Sequence, residues 1–177
     1  FCLSRGLGDV YKRQVLYSEI THGHEISIIG CYIYVLYLKG LFKNLKHRQI
    51  IKYINEKLKE LKDLTHIYDD AINNAYNCIL SNQIEYLTVD QIQSSGYIVY
   101  TLEAAIWCVI NNEFHSFDDY IFGAINLGED TDTIAAITGA LYGAKTGNVE
   151  SIQNYYNQII LKDQVDQKLN QFINHFK

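Results

Sequence analysis

Methionine and proline are both absent from the 177 residues, and only three arginines and one tryptophan occur. A chain without Met shows no start of its own, so sequence upstream of Phe1 is expected to be missing or removed. Basic residues are outnumbered, 15 against 20 acidic, for a formal charge of −5. That argues against the basic face by which nucleic acid or an anionic membrane would be held. The longest uncharged apolar run lies between Glu25 and Lys39, 13 residues, against the roughly 20 that a spanning helix needs. It sits inside the chain and lacks the basic lead-in of a signal peptide. No C-x-x-C pair is found among the cysteines at 2, 31, 78 and 108, which read as reduced, mostly buried thiols of a cytoplasmic protein. What remains is an ordinary globular balance, 48% hydrophobic and 20% charged, over the length of one domain.

The first residues differ in character from the rest. Ser4–Gln14 reads SRGLGDVYKRQ and holds Arg5 and Arg13, whereas the remainder is rich in Ile, Asn, Lys and Tyr. Asp9–Gln14 can be encoded by the mosaic end of a sequencing-library adaptor, and the residues before it fit that adaptor's upstream arm. Residues 1–14 are therefore expected to be a non-native, adaptor-derived segment. Residues 15–177 are expected to form a single α-helical domain, truncated at its N-terminus.

The periodicity of that domain is helical almost throughout. A helix over Glu25–Phe42 is apolar on all sides, which marks it as buried and in need of neighbours. Arg48–Leu61 is amphipathic, with Ile50, Ile54 and Leu58 against Lys52, Glu56 and Glu60. A third helix is expected over Ile67–Ser81, and Thr88 and Asp90 give a start signal before a Ser-Ser-Gly break at 94–96. Tyr97–Asn112 follows, then Phe117–Asn126 behind a Ser116–Asp119 capping box. Thr133–Lys145 carries Gly139 and Gly143, which would let backbones approach closely, and Gly147 suits a C-terminal cap. Val149–Leu161 and Val165–Phe176 close the chain. No strand pattern or repeat is found, so the fold class is all-α.

The chemistry concentrates in Asn126-Leu-Gly-Glu-Asp-Thr-Asp-Thr133. Asp130, Asp132 and the Thr133 hydroxyl crowd the start of a small-residue helix, with Glu129 adding a third acid. Helix capping alone accounts for acids there, at about 0.3–1 kcal/mol each. Three acids at the mouth of a buried helix also repel one another unless a cation or protons intervene. Hard oxygens of this kind suit Mg²⁺ or Mn²⁺ rather than Zn²⁺. Other polar residues have plainer readings. His22 and His24 show ligand-like H-x-H spacing but lack a third ligand nearby, which favours a hydrogen-bonded loop. His47, His66, His115 and His175 read as surface residues and Trp107 as core. Glu103 stays open between a solvated face and a position supporting the site from behind.

Ser95–Trp107 (SGYIVYTLEAAIW), Ser116-Phe-Asp-Asp and Ala124–Ala144 (AINLGEDTDTIAAITGALYGA) together resemble the ADP-ribosylglycohydrolase family. Ser18-Glu-Ile-Thr-His-Gly-His24 resembles that family's Thr-His segment. The resemblance covers essentially all of Val15–Ile160, and its specific part is the Asp-x-Asp-Thr segment in its Asn-Leu-Gly context. It implies an all-α, metal-dependent hydrolase of the glycosidic bond between ADP-ribose and a protein side chain or small acceptor, with two Mg²⁺, or Mn²⁺, ions. It carries metal binding onto Asp130, Asp132 and Thr133, and substrate binding onto His22, Gly96, Tyr97, Gly128 and Glu129.

Three departures qualify what the resemblance implies. The family's Gly-rich opening, its Thr-Asp-Asp metal motif and the acidic residue proposed as general acid or base have no counterpart here. No catalytic residue is therefore assigned, and the chain is expected to be a C-terminal portion that binds metal weakly and is inactive alone. Glu129 stands where a second glycine is usual, and Gln153 and Tyr156 where Pro and Trp are common. The competing reading is a non-catalytic ADP-ribose-binding or structural relative of the same fold.

Overall fold

The computed structural model describes residues 13, 17–64, 69–111, 115–148 and 150–175. Among them every regular element is helical, and no strand occurs. The adaptor-like segment, apart from the exposed Arg13, lies outside the described residues, as do Cys2 and His66. By contacts the chain divides into two compact units, Phe1–Thr146 and Gly147–Lys177, where the sequence reads as one domain.

The first unit is built on helices α1 (Glu25–Phe42), α2 (His47–Leu64), α3 (Asp70–Ala75), α4 (Asn77–Leu80), α5 (Ile98–Ile110), α6 (Phe117–Asn126) and α7 (Thr131–Thr146). Two 3₁₀ turns, Gln83–Tyr86 and Val89–Gln91, join α4 to α5. Helix α1 begins where the His24 imidazole accepts the Ile26 amide hydrogen bond. It packs against α2, α3, α5 and α7, and α7 packs on α5 and α6. The core runs through these contacts: Ile29, Ile33 and Leu36 of α1 cluster with Ile50, Ile54, Leu102, Ile106 and Ile134. Each large aliphatic side chain so buried contributes about 1.5–3 kcal/mol.

Several expected boundaries shift, for identifiable reasons. With Lys39 included, α1 is 18 residues long and, by length and composition, apolar enough to cross a membrane. Half of it is nevertheless buried within the unit, as a core helix is. The third expected helix breaks at Tyr76 into α3 and α4. Thr88 caps a 3₁₀ turn, with Gln91 completing the capping box. Helix α7 starts at Thr131, ahead of Thr133, because the Asp130 carbonyl already accepts the Ile134 amide at 3.1 Å. The close approach expected at Gly139 and Gly143 is loose: a Cβ on Gly139 would meet only Ile121 Cδ1 at 3.4 Å, and one on Gly143 nothing within 4 Å.

In the second unit the stretch read as one helix over Val149–Leu161 is two short pieces, a 3₁₀ turn (Glu150–Ile152) and α8 (Gln153–Tyr156). Helix α9 (Lys162–His175) follows Leu161, a non-glycine residue at φ 62°. Tyr156 donates a hydrogen bond to Asp166, which also pairs with Lys162 at 3.7 Å. Val165, Leu169, Phe172 and Ile173 are exposed on α9.

Candidate functional site

The segment that ends α6 turns through Leu127, Gly128 and Glu129, the last two at φ 86° and 51°. Left-handed backbone costs a side-chain-bearing residue roughly 1–2 kcal/mol, so Glu129 sits where a glycine would be at ease. The turn is tied to the loop before α5 twice. The Ser94 hydroxyl donates to the Leu127 carbonyl at 3.0 Å, and the Asp130 amide donates to the Ser94 carbonyl at 3.1 Å. These two bonds set Asp130 opposite Gly96. A Cβ on Gly96 would lie 3.3 Å from Asp130 Oδ2, so the absence of a side chain there makes room for the carboxylate. Asp130 also accepts a 2.8 Å hydrogen bond from the Thr133 hydroxyl, one turn into α7.

Beside this pair lies a pocket of about 780 Å³. Asp130, Thr133 and Ile137 contribute from α7 and its cap, and Gly96, Tyr97 and Thr101 from the start of α5. Ser18, Thr21, His22 and His24 contribute from the segment before α1, and Ile26, Gly30, Cys31 and Tyr34 from α1 itself. His22 is held by a turn in which the Ser18 carbonyl accepts its amide at 2.8 Å. Of the residues singled out from sequence, His22, Gly96, Tyr97, Asp130 and Thr133 therefore share one cavity. Asp132 is exposed, and neither it nor Gly128 nor Glu129 is among the lining residues. Among the described residues no group of three or more His, Cys, Asp or Glu side chains is arranged to hold a metal ion. The spacing of His22 and His24 thus yields a turn residue and a helix cap.

Sequence reasoning did not single out Ser94, Ile26, Gly30 or Tyr34. Only the Ser-Ser-Gly break at 94–96 signalled that chain near Ser94 would be irregular. Glu103 is half-buried on α5, away from the pocket lining. Burial pushes its carboxyl up to about 7, with a hydrogen bond involving Cys78 acting the other way. Burial likewise pushes the Cys78 thiol up to about 11. Of the thiols described, Cys108 is buried, while Cys31 and Cys78 are partly covered, and all three are free.

A second cavity of about 970 Å³ lies at the first turn of α2, lined by Lys46, His47, Arg48, Glu85, Tyr86 and Trp107 among others. His47 is not a surface residue: its side chain is only 10% exposed, and its Nδ1 lies 2.9 Å from the Tyr37 hydroxyl. Burial lowers its pKa from the ordinary value. Arg48 grips Glu85 through Nε and Nη2, the shorter contact being 2.7 Å. Trp107 is in the core, its indole N–H donating to the Leu87 carbonyl at 2.9 Å.

Residues 4–174 match the family model described as ADP-ribosylglycohydrolase. The chain belongs to the ADP-ribosylglycohydrolase family. Within curated proteins it is similar to the ADP-ribosylarginine hydrolase Tri1 of Serratia proteamaculans (strain 568), 40% identical over 76 residues. Those residues are 43% of this chain and 20% of that protein. It is also similar to the ADP-ribosylarginine hydrolase Tri1 of Pseudomonas putida (strain GB-1), 53% identical over 58 residues, 33% of this chain and 15% of that protein. The matched stretches thus span a fifth or less of these relatives. The all-α architecture is the one expected of an ADP-ribosylglycohydrolase.

Proposed function

We propose that the pocket between α1, α5 and α7 binds the ADP-ribosyl group, and that the complete protein hydrolyses the bond joining that group to a protein side chain. The relatives' names support arginine as the acceptor. The observation that carries this reading is the convergence of His22, Gly96, Tyr97, Asp130 and Thr133 on one cavity in a chain of this family. Asp130 offers a carboxylate acceptor suited to ribose hydroxyls, and the Tyr97 ring, 44% exposed, offers an apolar face. Hydrolysis of the bond from the anomeric carbon to nitrogen passes through an oxocarbenium-like state, with water arriving at carbon and a proton reaching the leaving nitrogen. No described residue is assigned that proton transfer.

Mg²⁺, or Mn²⁺, belongs to the proposal through the hard oxygens of Asp130 and Thr133. Such an ion takes about six oxygen ligands, and these two donors, with Asp132 outside the pocket lining, do not make a site by themselves. Glu129 at its left-handed position supports a second reading: an ADP-ribose-binding relative without catalysis. Three free thiols suit a reducing compartment, in keeping with a cytoplasmic protein.

Two measurements separate the readings. The 177-residue chain is titrated with ADP-ribose by calorimetry, with Mg²⁺ and with a chelator, and is then incubated with an arginine-ADP-ribosylated peptide. Binding with release of ADP-ribose supports the hydrolase. Binding without release supports the pocket, and the same assay on the chain extended upstream then decides, release supporting the hydrolase and no release the binder. Absence of binding in both conditions overturns the assignment of the pocket. Asp130→Ala should weaken any ADP-ribose binding about tenfold, the cost of one charge-assisted hydrogen bond.

A further inference from the structure

Behind the pocket wall, at the break between α3 and α4, stands Tyr76, whose side chain is fully buried. Its hydroxyl donates to the Ile26 carbonyl in the first turn of α1 at 2.7 Å, across 50 residues of sequence. It also occupies the notch left by Gly30: a Cβ there would lie 2.4 Å from Tyr76 Oη and 3.0 Å from Ile98 Cδ1. Ile26, Gly30 and Ile98 all line the pocket, whereas Tyr76 does not. Two further lining residues, Cys31 and Tyr97, sit close enough to Tyr76 to act electrostatically on its hydroxyl, as does Glu103. Burial is the first cause that raises the pKa of that hydroxyl, so it stays a neutral donor.

We propose that Tyr76 is a positioning residue for the pocket: through Ile26 and Gly30 it fixes the first turns of α1, and so sets where His24, Ser27 and Cys31 stand around the ligand. The proposal rests on the ligand reading given above. The geometry has a specific logic. A tyrosine is rigid and cannot fold its hydroxyl away, and the residue at 30 must lack a side chain for that hydroxyl to reach Ile26. Tyr76 and Gly30 are therefore coupled through the hydroxyl, although each also has a partner of its own, the Ile26 carbonyl for Tyr76 and Ile98 for Gly30.

The test is a double-mutant cycle on the 177-residue chain with Tyr76→Phe and Gly30→Ala. ADP-ribose affinity is read by calorimetry and folding by thermal unfolding. Tyr76→Phe should remain folded with a lower thermal midpoint, the direct effect of one lost internal hydrogen bond, and should bind ADP-ribose measurably more weakly, by up to about tenfold if all of that bond's energy serves to hold the pocket. Gly30→Ala should be severely impaired in the parent chain and partly relieved alongside Tyr76→Phe, which removes the 2.4 Å oxygen contact but leaves those with Ile98 Cδ1 and Cγ1 at 3.0 and 3.2 Å. A Gly30→Ala chain that fails to fold alone but folds in the double variant counts as the same result. Parental affinity in folded Tyr76→Phe, or the same penalty for Gly30→Ala in both backgrounds, would overturn the proposal. A parent chain that binds no ADP-ribose would sink the ligand reading. The thermal midpoints of the four chains would then still show the coupling, or by strict additivity refute it.

Discussion

Replacing Ser94 by alanine removes one oxygen from the junction between α6 and the start of α5. Ser94 is 5% exposed, and its hydroxyl donates to the Leu127 carbonyl at 3.0 Å. Loss of the hydroxyl leaves the carbonyl at the end of α6 without that donor. A part-buried acceptor so abandoned costs about 1–2 kcal/mol, and no appreciable cavity term adds to it, because the Cβ remains. For a protein of this length, 1 kcal/mol moves the thermal midpoint by about 2–4 °C, so a fall of about 2–8 °C is expected. The second tie in the junction, from the Asp130 amide to the Ser94 carbonyl, uses backbone alone and survives the substitution. ADP-ribose affinity should therefore fall by less than about threefold, well under 1 kcal/mol. Differential scanning fluorimetry and calorimetry read the two effects. Ser95→Ala serves as the neighbour control, since Ser95 Oγ only accepts a long 3.4 Å contact from the Tyr97 amide. A midpoint unchanged in Ser94→Ala, or lowered equally in Ser95→Ala, would show that the hydroxyl does not clamp the turn.

Two ionisable groups should give stability opposite dependences on pH. The Glu103 carboxyl is raised from its ordinary 4.5 to about 7 by burial, so the folded state holds its proton more tightly than the unfolded. Its contribution is full below about 4.5 and is lost as pH rises through 7; urea unfolding at pH 8 should find Glu103→Gln more stable than the parent, with the gap closing by pH 5. His47 runs the other way: burial lowers its pKa, so the unfolded state binds the proton first. Its contribution is present above the ordinary value of 6.5 and is lost as pH falls below it. In the same unfolding series His47→Gln should flatten the acid side of the profile, and an unaltered acid limb would contradict the burial argument.

Local signals in the sequence found most of the helices. Glu25–Phe42 and Phe117–Asn126 have the bounds that apolar patterning and the Ser116–Asp119 box predict. Errors arise where a distant residue decides. Nothing near Tyr76 announces a helix break, because the reason for its position is a carbonyl 50 residues earlier. His47 reads as a surface residue until Tyr37 packs beside it. The same limit applies to the site. The resemblance assigned Asp130, Asp132 and Thr133 together, and of these Asp130, just before α7, and Thr133, in its first turn, line the pocket, whereas Asp132 is exposed and not among the lining residues. The Ser94 clamp joins residues 33 apart, a pairing that no local rule contains.

The first and last residues in sequence to line the pocket, Tyr17 and Ile137, are more than a hundred residues apart along the chain. During synthesis, at about 5–20 residues per second, helix α1 would be out of the ribosome for roughly 5–20 s before α7 exists to face it. In that interval the wall bearing His22 and His24 gains the α5 side first but lacks the Asp130 and Thr133 side until the end, so no ligand that needs all three can guide the early helices into place. Binding can only reward a chain that has already docked α7. An ADP-ribosyl ligand would thus act as a proofreader of completed folding and not as a template for it, and truncations before Thr133 should lose the pocket whatever else of the bundle survives.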